Sequence, residues 1–217
     1  MTFKKLISSI IMFTMFACHK DEQNVSPTIS NEALTTAQLQ LVNTTDILDK
    51  PTAQWEQLLD NAGKPLPVDV SQATLILKTN TTYSASIILL DKTQSPVFIA
   101  SDEVKERGTY HLFFYQALPT VQTLIIPNNY PVDINDLYPV PIPTPIPVGS
   151  PLNLTITITD HDDSPQQYPI GLESTFVTGA ASTGWLRVTL RHQPNVKNGT
   201  FDPGETDLDV GFNVRIQ

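Results

Sequence analysis

Pro151-Leu152-Asn153-Leu154-Thr155-Ile156-Thr157-Ile158-Thr159 alternates without a break: Leu152, Leu154, Ile156 and Ile158 fall on one side, Asn153, Thr155, Thr157 and Thr159 on the other. A period of two is the side-chain repeat of a β-strand, and β-branched residues suit a pleated surface. The stretch predicts a strand with one buried and one wetted face, as antiparallel sheets permit. Downstream, Leu208, Val210, Phe212, Val214 and Ile216 alternate with Asp207, Asp209, Gly211, Asn213 and Arg215 in the same way. Between the two, Leu186, Val188 and Leu190 face one way, and Trp185, Arg187, Thr189 and Arg191 face the other, which reads as the wet side.

Upstream, Ala73 to Leu77, Tyr83 to Leu90, Tyr110 to Gln116 and Val121 to Ile126 are apolar or aromatic partly on both faces and predict central strands covered on both sides. Leu34 to Val42 and Leu172 to Val177 complete a set of about nine strands separated by Pro, Gly, Asn and Asp turns. The helical candidate is Thr52 to Asn61, with Trp55, Leu58 and Leu59 at i, i+3, i+4, a short stretch between Pro51 and Gly63. Pro139, Pro141, Pro143, Pro145 and Pro147 cannot donate to a ladder, so residues 139 to 151 form a stiff extended excursion, read as a surface connector before a PxxP ligand. The fold class is all-β: one domain over 37–217, a two-sheet antiparallel β-sandwich, immunoglobulin-like or related.

The amino terminus carries Lys4 and Lys5, an apolar run from Leu6 to Phe16, then Ala17-Cys18, the layout of a secretory signal over residues 1–17. Eleven helical residues cover only about 16 Å of a ~30 Å hydrocarbon core, so a permanent span is a poor reading. Cys18 is the one cysteine, which excludes an internal disulfide. Met15-Phe16-Ala17-Cys18 resembles a lipobox, which makes Cys18 the expected lipid-attachment residue, carrying three acyl chains. The following His19-Lys20-Asp21-Glu22 resembles the Lys-then-acidic export signal of Bacteroidetes lipoproteins, with a solvated charge run as the plainer alternative. Residues 18–36 are polar and read as a tether. The expected address is the outer membrane, lipid-anchored, at the cell surface.

The formal net charge is −9, and removal of the signal with its two lysines leaves 11 basic against 22 acidic residues. Nucleic-acid affinity comes mainly from Lys and Arg displacing counterions, so nucleic acid is not an expected partner.

Three carboxy-terminal stretches, Gly171 to Gly184, Leu186 to Asn195 and Pro203 to Phe212, follow one another closely. Together with Thr79 to Leu90 and His111 to Tyr115, they resemble a family of Bacteroidetes outer-membrane lipoproteins whose members end on similar Arg-His-Glu-Pro-Asn and Gly-Glu-Thr-Asp stretches. Gln193 stands where that family has Glu. Its members are often labelled as type 1 periplasmic binding fold proteins, without an established activity. The resemblance implies a solute-binding lipoprotein as the alternative function.

Asn198-Gly199-Thr200-Phe201-Asp202-Pro203-Gly204-Glu205 fits the second half of an EF-hand-like loop, with Asn198, the Thr200 carbonyl, Asp202 and Glu205 as ligands. The two leading ligand positions fall on Pro194 and Val196, which offer no side-chain oxygen, so a plain Gly-rich turn is favoured over a weak calcium site. No other cofactor is expected. Asp160-His161-Asp162-Asp163 could bind an ion at its tip but reads as an exposed polar turn. Asp102 with Glu103, and Asp207 with Asp209, read as solvated strand-edge charges, and His192 stands at a strand end where His161 could approach it. No Ser-His-Asp signature, HExxH, phosphate loop or catalytic cysteine occurs in the sequence, so an enzyme is not expected, a hydrolase being the distant alternative. The expected function is a surface-tethered, non-catalytic sandwich that binds a protein or glycan ligand.

Overall fold

Period-two stretches become strands where their apolar side finds a facing sheet, and here they find one. A computed structural model describes residues 34–119 and 149–217. The described residues form β1 (Thr36–Asn43), β2 (Thr52–Glu56), β3 (Thr74–Leu77), β4 (Thr82–Asp91), β5 (Phe98–Ile99), α1 (Ala100–Glu106), a 3-10 turn (Gly108–Tyr110), β6 (His111–Leu118), β7 (Leu154–Ile158), β8 (Glu173–Thr178), β9 (Ser182–His192) and β10 (Glu205–Ile216). One sheet runs β2-β1-β4-β8-β7 with β5 added at the end of β4, and the other runs β3-β10-β9-β6. The two sheets close on a shared core in which Leu39, Leu41, Ile87, Leu89 and Phe176 join Phe113, Leu186, Val188, Leu190, Val210 and Phe212, all buried. Each such side chain contributes roughly 1.5–3 kcal/mol by leaving water. The all-β sandwich expected from the alternation is the fold.

Several details differ from the sequence reading, each for a tertiary reason. The sheets are not wholly antiparallel, because β3 runs parallel to β10, with Asn213 opposite Thr74 and Ile216 opposite Leu77. The helical candidate at Thr52 to Asn61 is β2 followed by turns: its residues pair with β1 from Thr36↔Glu56 to Gln40↔Thr52, which buries Trp55 and leaves Leu58 outside. Five residues of weak helical preference do not outweigh a ready ladder. The helix lies instead at α1, where Ala100 and Val104 are buried against β4. Asp102 and Glu103 therefore sit in its first turn rather than on a strand edge, a favourable place for acids.

Of the strands expected to be central and covered on both faces, Tyr83 to Leu90 is central as β4 but buries alternate residues, and Ala73 to Leu77 and Tyr110 to Gln116 are not central. β3 and β6 are edges, while β9 is buried on both sides. Trp185, Arg187, Thr189 and Arg191, the side read as wet, are 2%, 1%, 1% and 1% exposed. Trp185 lies flat over Gly211 of β10, where a Cβ would stand 2.0 Å from the indole nitrogen, so glycine is required by contact rather than by its backbone angles. Asp209, also on this face, pairs with the Arg187 guanidinium through Nε at 2.8 Å and through Nη2. Leu34 to Thr36, where the tether and first-strand readings overlap, are buried and belong to the sandwich. Val121 to Ile126, Pro139 to Pro147, the signal, Cys18 and the tether to residue 33 lie outside the described residues.

Candidate functional site

The register His111↔His192↔Glu205 brings the start of β6, the end of β9 and the start of β10 to one end of the sandwich. The 193–204 loop, the 3-10 turn and the 159–172 connection meet there.

The loop is built around a guanidinium. Arg191 points to the outer face of β9, and its Nε donates to the Phe201 carbonyl at 3.0 Å, while Nη2 donates to the Gly204 carbonyl at 2.5 Å and reaches those of Asp202 and Pro203 at 3.4 Å. Nη1 donates to Thr206 Oγ1, and the guanidinium lies 4.5 Å from the Phe201 ring centre. Phe201 in turn meets Phe114 edge-on at 5.2 Å. A planar fork donates from three separated nitrogens and so reaches acceptors on opposite sides of the loop, which the single nitrogen of an ammonium cannot. Gly204 closes the turn at φ +83°, and a Cβ there would fall 2.0 Å from the His192 carbonyl.

The four residues proposed for calcium are accordingly placed. Asn198 Oδ1 accepts from the Thr200 amide at 2.9 Å and hydroxyl at 2.7 Å, and the Thr200 carbonyl accepts from Gln193 Nε2 at 2.8 Å. The Asp202 carbonyl faces Arg191, while the Asp202 and Glu205 side chains are exposed. Among the described residues no three His, Cys, Asp or Glu side chains converge to hold a metal ion. The cation at the centre of this loop is Arg191.

Behind the loop, on the core side, lies a buried titratable group that the sequence did not announce. The His111 and His192 rings stack at 5.0 Å, so the partner of His192 is His111. His111 Nδ1 lies 3.1 Å from the Arg107 carbonyl and must donate to it, which leaves Nε2 with a lone pair. Asp207 Oδ2 lies 3.8 Å from that Nε2, too far for a hydrogen bond. Burial, chiefly, lowers the His111 pKa to about 4, and burial followed by the Glu205 charge raises that of Asp207 to about 7, with Arg191 opposing. Both groups are thus neutral in mildly acidic solution, so their proximity is not an ion pair. Asp207 is buried by the irregular register between Thr206 and Leu208, contrary to its reading as a solvated charge, and Asp209 is likewise not a solvated charge, its side chain being 9% exposed and paired with Arg187.

Beside this group a cleft of about 310 Å³ opens, lined by Lys105, Glu106, Asp160, His161, Asp163 and Glu173 over Ile170 and Leu172. The Asp160-His161-Asp162-Asp163 turn forms one wall and is more than an exposed turn. Asp160 accepts from the Gly171 and Leu172 amides at 2.8 and 3.1 Å, and Asp162 is buried. Lys197, from the 193–204 loop, places Nζ 2.8 Å from Asp162 Oδ2 and donates to the Gly108 carbonyl at 2.8 Å. Burial pushes the Asp162 carboxyl up, but the Lys197 ammonium and the Ser164 hydroxyl and amide outweigh it and hold the group below its ordinary value. Burial lowers Lys197, which has fewer partners to offset the loss of water. Three separate segments are tied together at this point, which fixes the walls of the cleft.

Arg191, Lys197 and the His111–Asp207 juxtaposition were not singled out from sequence, and Gln193 was noted only for its departure from the family pattern. A usable sign was present in the opposite charges on neighbouring strands, Arg187 and Arg191 against Asp207 and Asp209, which the register brings side by side. No family model, curated protein or solved structure matches this chain.

Proposed function

We propose that the chain is a lipid-anchored protein of the outer membrane, displayed at the cell surface, whose sandwich binds a protein or glycan ligand without turning it over. The anchor rests on the signal pattern ending at Ala17-Cys18 and on the polar stretch after it. No helix among the described residues is long and apolar enough to cross a membrane. The observation that carries the binding reading is the cleft held by the Lys197, Asp160 and Asp162 contacts. A preformed concavity with an apolar floor and a few polar groups is the usual form of a ligand site. Glu106, Asp163 and Glu173 are exposed at its mouth, and their carboxylates make no hydrogen bond to other described residues. The chemistry they recognise is an ammonium or guanidinium, as on a basic peptide or an amino sugar.

Titration with a tri-lysine peptide and with a glucosamine oligomer tests this. At least one binds, and Asp163→Asn with Glu173→Gln weakens it by up to ~30-fold, since each exposed charge contact is worth at most about 1 kcal/mol. Equal affinity in wild type and variant, or no binding of either probe, removes the cleft from the argument. Turnover of glycan or ester substrates that disappears on changing one acid or histidine would replace binding by catalysis. The solute-binding alternative needs a cleft between two α/β lobes, and the described residues form one sandwich.

A further inference from the structure

Leu58, Leu66, Val97, Phe98 and Ile99 are 39%, 44%, 48%, 36% and 46% exposed, and they share one end of the first sheet. The register fixes that end. Thr36 stands opposite both Glu56 and Leu90, so the residues following β2, the end of β4 and the first residue of β1 lie level. Beyond Glu56 the chain turns so that the Leu66 amide donates to the Leu58 carbonyl at 2.8 Å, and Gln57 Nε2 donates to the Leu66 carbonyl at 2.6 Å. Beyond Asp91 it returns through Val97, and β5 pairs Phe98 with Asp91 and Ile99 with Leu90.

Between these two apolar groups the amino-terminal chain enters the domain. The Thr35 amide and hydroxyl both donate to the Leu90 carbonyl, at 3.0 and 3.1 Å. Thr35 also accepts from the Gln57 amide at 2.7 Å and the Lys92 amide at 2.9 Å. The remaining path back to Cys18 is short: sixteen Cα steps span no more than about 55 Å even when fully extended. Whatever holds Cys18 therefore keeps this end of the sandwich within that distance of it. The other exposed apolar pair, Ile47 and Leu48, follows the far end of β1 and points away.

We infer that this end of the sandwich docks on the lipid bilayer, with Val97, Phe98 and Ile99, together with Leu58 and Leu66, set into its interfacial zone beside the tether. The inference rests on the reading of Cys18 as the acylated residue. Monomeric proteins seldom leave apolar side chains clustered without a use, and this cluster surrounds the point that an acylated tether draws toward the membrane. The contact is apolar rather than electrostatic: the chain has a net charge of −9, and Lys92, the lysine nearest the entry point, is paired with Glu56 at 2.6 Å. An apolar face held in this way sinks about 5–10 Å into the headgroup–acyl boundary, within reach of atoms on the lipid chains.

The test uses the full chain expressed with its own amino terminus, extracted from membranes and reconstituted into phosphatidylcholine vesicles containing chain-brominated lipid. Tryptophan is placed at the cluster by Phe98→Trp or Val97→Trp and at the far end by Leu48→Trp, and the mass of the Cys18 peptide is read on the same material. The native Trp55 and Trp185 are 4% and 2% exposed and supply a shielded background. Brominated lipid quenches the F98W and V97W proteins but not L48W, and the quenching survives high salt. With Cys18 acylated, unquenched emission at both cluster positions, or equal quenching at Leu48→Trp, overturns the docking and leaves the anchor standing. Emission that ignores the bromines but shifts on adding detergent-extracted membrane proteins assigns the surface to a protein partner, and the bilayer inference fails. A Cys18 peptide without acyl chains overturns the anchor and the docking with it.

Discussion

Two buried side chains at the site end hold protons in the opposite sense to free ones, and the consequence can be measured. His111, with a pKa near 4, is neutral in the folded protein where an unfolded histidine of 6.5 is charged. Between those values unfolding takes up a proton at His111, so its contribution to stability rises with pH by about 1.4 kcal/mol per unit. Asp207, near 7, keeps its proton where an unfolded carboxyl of 3.8 has lost it, so its contribution falls with rising pH at the same slope. Over the shared window from about 4 to 6.5 the two cancel. Asp207→Asn removes one side of the balance, and its stability relative to wild type increases by about 3 kcal/mol as the pH rises from 4 to 6.5. His111→Leu changes in the opposite direction. Urea unfolding across that range decides the matter, and parallel curves for wild type and Asp207→Asn would remove the buried neutral pair. On the outer face, Arg187→Met strands the Asp209 carboxylate, whose pKa burial already raises. The loss is about 3–5 kcal/mol at pH 7 and shrinks on acidification as Asp209 takes up a proton, which the same titration reads.

β9, β10 and the loop between them depend on Arg191 more than on any ion. Arg191→Lys keeps the charge but loses the fork, so the Phe201 and Gly204 carbonyls can no longer both be served. Stability falls by about 1–3 kcal/mol. Hydrogen exchange locates the change: amides of residues 200 to 206 lose protection, while those of β1 and β4 keep theirs. Uniform loss of protection would instead assign Arg191 to the core as a whole. Because the loop carbonyls already face a cation, millimolar calcium leaves the melting temperature of wild type unchanged. A calcium-dependent rise of roughly 3 °C, lost in Glu205→Gln, would restore an ion at this loop.

At the scale of the molecule, the ends of the sandwich are unlike. Leu34 and Thr35, α1, the 159–172 connection and the 193–204 loop meet at one end, and the Ile47–Leu48 turn occupies the other. The cleft and the apolar cluster therefore share the end at which Leu34 enters the domain, so under the proposed Cys18 anchor the accessibility of the cleft depends on how the domain sits at the membrane. Cys18→Ser tests the premise. Acylation needs the thiol, so the variant incorporates no labelled palmitate and leaves the membrane fraction. Incorporation at the wild-type level would place the lipid elsewhere.

The sequence by itself pointed to the sandwich, because strand alternation is local: a period of two over nine residues, as in Pro151 to Thr159, reads as a strand whose apolar face needs a facing sheet. It also marked the acidic surface and the lone cysteine, which are properties of composition. Only the tertiary structure decided which faces are dry. Arg187 and Arg191 alternate like solvent-facing residues, and nothing in their own strand tells that Asp209 waits across the ladder or that residues 201 to 204 fold over the guanidinium. The same holds for Asp162, whose partner Lys197 is far along the chain, and for His111 against Asp207. Burial of a charge depends on partners distant in sequence, and register and loop closure alone bring those partners together.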